Sequence, residues 1–370
     1  MKDELKVIAL NLTNRCNLEC IHCGRDTDPE LMRFQKGAEF FLDILKQGRA
    51  LGAERVNMSG GEVFVRRDIF EVIEGAVKLG YYVSLESNGT LLNDEKIQRL
   101  ARLGESIRLS LSLDGFNSEV HDPIRGRGTF EKTMEAIRRV AQYKVQARVI
   151  TVVHEGNINQ IPEMVRYVVD ELGLGFRLLP SIMEYGRGMY ACSTHGINFE
   201  VMTELLEGFY YPFLREKMAQ GVKKEKLTVE LNTALIPPDI LNHHMCPWGQ
   251  YMIGIGPTGI AALCHVSSTN PLFRFGDLAT ETLADVWYKS EALLKYKRLN
   301  PDELHGVCGN CLAREICRGG CRLHAITKYD YDFLAPDPQC QVVYDLGKFP
   351  KYALEDEERD CSYGKTEVKS

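Results

Sequence analysis

The residues best suited to chemistry come early in the chain. Cys16, Cys20 and Cys23 form a C-x3-C-x2-C run on the loop after the first strand-like stretch, Lys6–Leu12. Thiolate is the standard protein ligand for iron–sulfur clusters, and three thiolates within eight residues can hold three corners of a four-iron cubane. The fourth iron is then left without a protein ligand. An open metal position marks a catalytic site rather than a closed structural one. Zinc is the plainer use of close cysteines, but zinc ribbons pair one C-x2-4-C with a second matching pair and do not need this spacing.

Further polar motifs fall at the ends of later strand-like runs. Ser59-Gly60-Gly61-Glu62 closes the second; its glycines let backbone approach a ligand closely, and Glu62 can accept hydrogen bonds from an ammonium group. Ser87-Asn88-Gly89-Thr90 closes the third and Ser112-Leu113-Asp114-Gly115 the fourth, where Asp-Gly also suits a turn. Next comes His121-Asp122-Pro123-Ile124-Arg125, with Thr129 reading as the N-cap of an amphipathic helix. A second cysteine constellation lies far downstream: Cys246, Cys264, then Cys308-x2-Cys311-x5-Cys317-x3-Cys321, then Cys340. Cys192 and Cys361 stand outside both patterns. Cys192 could donate a hydrogen atom or anchor a substrate, although a lone cysteine more often serves as a small hydrophobe.

The elements that must position these residues alternate. Strand-like runs at Lys6–Leu12, Arg55–Ser59, Tyr81–Ser87, Ile107–Leu113, Ala147–Val153 and Phe176–Ile182 are separated by helix-like segments near 37–51, 68–79, 93–103, 129–142 and 159–171. Such alternation predicts parallel strands with right-handed crossovers. In parallel barrels the chemistry sits at the C-terminal strand ends, where the motifs above fall.

The cysteine triplet followed by Gly-Gly-Glu resembles the radical S-adenosylmethionine (radical SAM) superfamily, and the seven downstream cysteines resemble its SPASM domain, which carries two auxiliary iron–sulfur clusters. The resemblance implies an α/β fold, a partial (β/α)6 TIM-like barrel followed by a cysteine-rich SPASM domain. It implies the boundaries 1–220 for the barrel, 221–244 for a linker, 245–345 for SPASM and 346–370 for a polar tail. The open-iron cluster at Cys16, Cys20 and Cys23 would cleave SAM to a 5′-deoxyadenosyl radical. Ser59, Gly60, Gly61 and Glu62 would hold the SAM amino group, Ser87 and Asn88 the ribose, Ser112 and Arg125 the carboxylate. Cys308, Cys311, Cys317 and Cys340 would hold one auxiliary cluster and Cys246, Cys264 and Cys321 the other, both four-iron like the first. The implied partners are a ferredoxin or flavodoxin reductant, a peptide or small-molecule substrate, and a separate leader-peptide-binding protein, since no such domain precedes the first strand. Asp114, His121, Tyr185 and His265 are candidate acids or bases.

Bulk properties narrow the classes. The 370 residues carry a net charge of −6, which disfavours a nucleic-acid partner. No apolar run approaches the roughly 20 residues that cross a bilayer, and no signal peptide opens the chain; a cytoplasmic location is expected. Twelve cysteines, clustered, read as metal ligands rather than disulfides. The glycine-interrupted run from Glu184 to Cys192 reads as a flexible loop at the barrel mouth, and the charged stretch from Glu355 onward as mobile. Two substrate classes remain open, a ribosomal peptide or protein side chain and a tetrapyrrole or other cofactor precursor. A non-catalytic iron–sulfur carrier is the competing class.

Overall fold

Apolar runs alternating with amphipathic stretches produce six parallel strands: β1 (Val7–Asn11), β2 (Arg55–Ser59), β3 (Tyr82–Ser87), β4 (Ile107–Ser112), β5 (Ala147–Val152) and β6 (Gly175–Leu179). This is the expected TIM-like half-barrel. The computed structural model describes residues 4–25, 34–240, 246 and 248–364. Helices α1 (Ala38–Ala50), α2 (Ile69–Lys78), α3 (Asp94–Ala101), α4 (Ser118–Arg125), α5 (Thr129–Gln142) and α6 (Ile161–Arg166) lie in the crossovers, and α7 (Gly188–His195) follows β6. Two units result: residues 1–196 with 247–297, and residues 197–246 with 298–370.

The segment 247–297 returns to the first unit and extends its sheet. There β8 (Met252–Ile255) runs parallel to β1, and β9 (Ile260–Ala262) and β10 (Arg274–Asp277) add antiparallel. The sheet order in this unit is β10-β9-β8-β1-β2-β3-β4-β5-β6. The second unit contains α8 (Phe199–Leu205), α9 (Tyr211–Ala219), the short β7 (Leu227–Val229), α10 (Arg314–Cys317), α11 (Arg322–Lys328) and α12 (Pro338–Asp345).

Side chains alternate across each strand, and the two faces differ in chemistry. Val83, Leu85, Leu109, Leu111, Phe176 and Leu178 have no exposed surface. Burying each contributes about 1.5–3 kcal/mol, which fixes the register under the helices. The opposite face presents Ser84, Glu86, Ser110, Ser112, Arg148 and Arg177. A closed barrel fills its interior with branched apolar side chains; this one lines it with polar groups.

Three local expectations change. Residues 118–125 form a helix, although Pro123 lies inside it. Thr129 is the first helical residue rather than the cap, and Asp122 satisfies the end of α5 by accepting from Gly128 N at 2.6 Å and Phe130 N at 2.9 Å. The stretch after Glu355 is docked as far as the structure describes it. Asn310 donates to Asp356 O at 2.6 Å, Gln341 to Cys361 O at 3.0 Å and Tyr344 to Arg359 O at 2.8 Å, and Cys361 is buried. Charge made this tail look mobile; backbone carbonyls, invisible to composition, anchor it. Among the described residues no helix is long and apolar enough to cross a membrane.

Candidate functional site

The cysteine loop is shaped by what lies against it. Gly61 N donates to Thr13 O at 2.7 Å and Glu62 N to Arg15 O at 2.9 Å, so the end of β2 is sewn to the backbone entering Cys16. A Cβ on Gly60 would fall 2.7 Å from Thr13 O, and one on Gly61 would overlap Arg15 O. The glycine pair therefore serves a protein–protein backbone contact, whatever ligand also lies near. On the other side, Gly188 N donates to Cys23 O at 3.1 Å and Arg187 Nε to Cys20 O at 3.0 Å. Gly186, at φ +58°, lies where a Cβ would meet Arg25 O at 2.7 Å. The run read as a flexible loop is thus a strap across the cysteine loop.

Glu62 is buried, and both its oxygens are used. Ser87 Oγ donates to it at 2.9 Å, Phe64 N at 3.1 Å and Asn88 N at 2.7 Å. Burial raises its pKa against these hydrogen bonds. Ser87 also accepts from Gly89 N at 3.0 Å, and Asn88 Nδ2 donates to Asn17 Oδ1 at 3.0 Å, so the end of β3 is held to the cysteine loop by the same residues assigned to ribose. Ser59 Oγ accepts from Arg25 Nη2 at 2.9 Å. Ser112 stands half-buried at the end of β4.

Asp114 is the electrostatic hub. Its Oδ2 meets Arg125 Nε at 2.6 Å and His22 Nε2 at 3.0 Å, and its Oδ1 accepts from Val152 N at 2.9 Å. Burial opposes its charge, but Arg125 and His22 outweigh that and hold the carboxyl well below the usual range. In this structure Arg125 therefore ties the β4 loop to α4 and has spent its Nε on Asp114. His121 Nδ1 accepts from Asp114 N at 3.1 Å. Asp114→Asn removes the charge facing a buried guanidinium, and breaking such a pair costs about 3–5 kcal/mol; a lowered denaturation midpoint will report it. Cys192 lies on α7 with its sulfur 3.7 Å from Glu184 Oε1, in the strap region.

The thiols fit an iron–sulfur cluster by their chemistry. Cys20 and Cys23 lie close enough to raise the pKa of Cys16, and Cys23 that of Cys20, though burial is the larger cause and pushes Cys16 up to about 11. Leu18 N points at Cys16 Sγ, 3.4 Å away. A buried thiol held this high ionises only beside a cation, and a metal deprotonates a coordinating thiol outright. Among the described residues no three His, Cys, Asp or Glu side chains are placed to share one metal ion. A cubane asks for a wider set, because each thiolate meets its own iron.

In the second unit Cys308, Cys311, Cys317 and Cys340 also sit within electrostatic reach of one another. Burial is again the first cause and pushes Cys317 up to about 12. Asp337, which the sequence reading missed, organises this region. Its Oδ1 accepts from Asn232 Nδ2 at 2.7 Å, Gln339 N at 3.0 Å and Cys340 N at 3.2 Å. Its Oδ2 accepts from Cys321 N at 3.2 Å, and its own N–H points at Cys308 Sγ, 3.3 Å away. The signal was Asp337-Pro338, a helix-start pair, hidden among cysteines. Asp337→Ala loses a cap worth about 0.5–2 kcal/mol and frees the cysteine-bearing segments; lower thermal stability and reduced bound iron are expected. Cys264, in the first unit, donates its backbone N–H to Ser267 Oγ at 3.0 Å. Cys246 is exposed, Cys321 half-buried, and Cys361 has no cysteine among the groups that shift it.

Fold and motifs together define an α/β enzyme built to carry iron–sulfur chemistry at the strand ends. The radical SAM superfamily pattern matches residues 10–168, and that of an iron–sulfur cluster-binding domain, SPASM, matches residues 246–312. The chain belongs to the radical SAM superfamily and carries a SPASM domain. It is therefore an enzyme whose cofactors are S-adenosylmethionine and iron–sulfur clusters. It is 28% identical to the AdoMet-dependent heme synthase of Methanosarcina barkeri across 94% of this chain and 99% of that protein. It is 27% identical to the PqqA peptide cyclase of Granulibacter bethesdensis across 90% of this chain and 86% of that protein. Among solved structures, Streptococcus suis SuiB bound to S-adenosylmethionine superposes with a TM-score of 0.72 at 18% identity, covering 92% of this chain and 78% of that one. The enzyme anSMEcpe with bound AdoMet and Cp18Cys peptide does so at 0.70 and 19%, covering 94% and 96%.

Proposed function

We propose that this protein is a radical SAM oxidoreductase or maturase acting on a ribosomal peptide or protein side chain, with Cys16, Cys20 and Cys23 holding the SAM-cleaving cluster. The convergence of Glu62, Ser87, Asn88 and Asn17 on one loop beside those cysteines supports this assignment best. When bound and reduced, the cluster supplies homolytic cleavage of SAM and, through the adenosyl radical, hydrogen abstraction from substrate. The chain's own part is to orient and enclose. The strap at Gly186–Gly188 closes over the cysteine loop, and Asp114 fixes Arg125 and His22 at the rim. Cys308, Cys311, Cys317 and Cys340 are the proposed ligands of one auxiliary cluster, with a ferredoxin or flavodoxin as electron donor. Ser59, Ser112 and the Gly60–Gly61 pair stay assigned to SAM.

The peptide reading draws support from the peptide cyclase relatives. A second reading, modification of a tetrapyrrole, is favoured by the heme synthase relative, which this chain matches over nearly its full length. Anoxically reconstituted protein given dithionite and SAM will form 5′-deoxyadenosine; an iron–sulfur carrier would form none.

A further inference from the structure

In the second unit Arg322 opens α11 directly after Cys321, and it has no exposed surface. Its guanidinium turns back among the cysteine-bearing segments. Nη1 donates to Gly319 O at 2.9 Å and to Ala335 O at 2.8 Å, and Nη2 donates to Phe333 O at 2.7 Å. Gly319 lies on the loop from Cys317 to Cys321, at φ +77°, and a Cβ there would fall 2.5 Å from Arg322 Nη1. Ala335 lies two residues before Asp337, whose N–H points at Cys308 Sγ, 3.3 Å away. The guanidinium is therefore held between the loop that begins at Cys317 and the segment that passes Cys308 on its way to Cys340.

The groups around it are negative when metal is bound. Four cysteines would ligate as thiolates, and the Asp337 carboxylate lies among them, its Oδ2 accepting from Cys321 N at 3.2 Å. Carbonyl acceptors hold a guanidinium in place without removing its charge, which persists at any working pH. Burial raises the Cys308 thiol, and Arg322 works in the opposite direction. Reduction of a bound cluster adds one more negative charge. Net charge beside a cluster is one of the factors that set its potential, and salt screens a buried charge far less than an exposed one.

We infer that Arg322 raises the reduction potential of the auxiliary cluster assigned to Cys308, Cys311, Cys317 and Cys340, its fixed positive charge favouring the added electron. This rests on the ligand assignment above. The three carbonyls set where the charge stands, and the charge sets how readily the cluster is reduced.

The test is an anoxic dithionite titration of the full chain, followed by low-temperature electron paramagnetic resonance. A Cys16→Ala, Cys20→Ala, Cys23→Ala, Cys264→Ala background leaves this cluster as the signal observed, and bound iron is measured beside each titration. Arg322→Gln removes the charge, so the reduction equilibrium will become about tenfold less favourable, a midpoint about 59 mV lower. Arg322→Lys keeps a charge and will stay within about threefold of the parent. An Arg322→Gln midpoint equal to the parent's overturns the inference. So does an Arg322→Lys midpoint that falls as far as that of Arg322→Gln, because lost span rather than lost charge would then be the cause. Where Arg322→Gln binds no iron, Arg322→Lys decides alone: a midpoint within about threefold supports the inference and a drop of about tenfold overturns it. Loss of iron from both variants also overturns it, since the residue would then serve assembly alone. Adding Cys308→Ala to the background checks the ligand assignment separately. If iron persists there, the assignment fails whatever Arg322 does; if iron is lost there and the Arg322→Gln midpoint is unmoved, only this inference fails.

Discussion

Alanine at any one of Cys16, Cys20 or Cys23 will reduce 5′-deoxyadenosine formation to that of a protein-free blank. Each thiolate holds a different iron of a cubane, so losing one leaves two irons without protein anchorage at a site that already has one open position. The three cysteines lie on a single loop and cannot be replaced by neighbours: Asn17, Asn14 and Thr13 are already occupied by contacts with Asn88, Asn11 and Arg15. Bound iron should fall by about four per chain, the content of one cubane, while the spectrum of the second-unit cysteines persists. A Cys308→Ala variant should show the reverse, losing auxiliary iron while the first cluster still forms. Iron analysis beside product chromatography separates the two.

Gly61→Ala is the second large effect. The added methyl would overlap Arg15 O, which is backbone and cannot rotate away, so the cysteine loop itself must shift. Overpacking of this kind costs about 1–3 kcal/mol in stability. A displacement near 1 Å at a reacting centre can cost about 100-fold in rate. The expected outcome is a folded protein with a modestly lower melting temperature and SAM cleavage reduced about 100-fold. Gly37→Ala, where nothing lies within 4 Å, is the matched control and should leave both unchanged. If Gly61→Ala retains full turnover, the close approach of β2 to the cysteine loop does not position the site.

The barrel strands were legible because their signal is local. Alternating apolar residues between amphipathic stretches mark all six, with ends displaced by up to three residues. The cysteine triplet and Gly-Gly-Glu were legible for the same reason: the chemistry is written in consecutive residues. What escaped depends on partners distant in sequence. Residues 118–125 lie outside the helix-like segments of the sequence, yet they form α4, whose start Asn117 caps by accepting from Val120 N at 3.0 Å. The glycines of the strap suggested flexibility, yet each lies where the cysteine loop leaves no space for a side chain. Arg148 and Arg177 belong to no motif, and only the register shows them sharing the inner face with Glu86. Residues 252–277 lie within the SPASM match, and nothing in their sequence shows that they also extend the main sheet through β1. Glu62 is legible as a ligand-binding carboxylate, but its protein partners Ser87, Phe64 and Asn88 appear only in the fold.

The decisive measurement is low-temperature electron paramagnetic resonance of dithionite-reduced protein with and without SAM, on a Cys308→Ala, Cys264→Ala background that removes the signals of both auxiliary clusters. If Cys16, Cys20 and Cys23 leave one iron open to the cofactor, the cluster signal will change shape and g-values when SAM is added. A spectrum that is the same in both samples, from protein with its first cluster intact, would contradict the account.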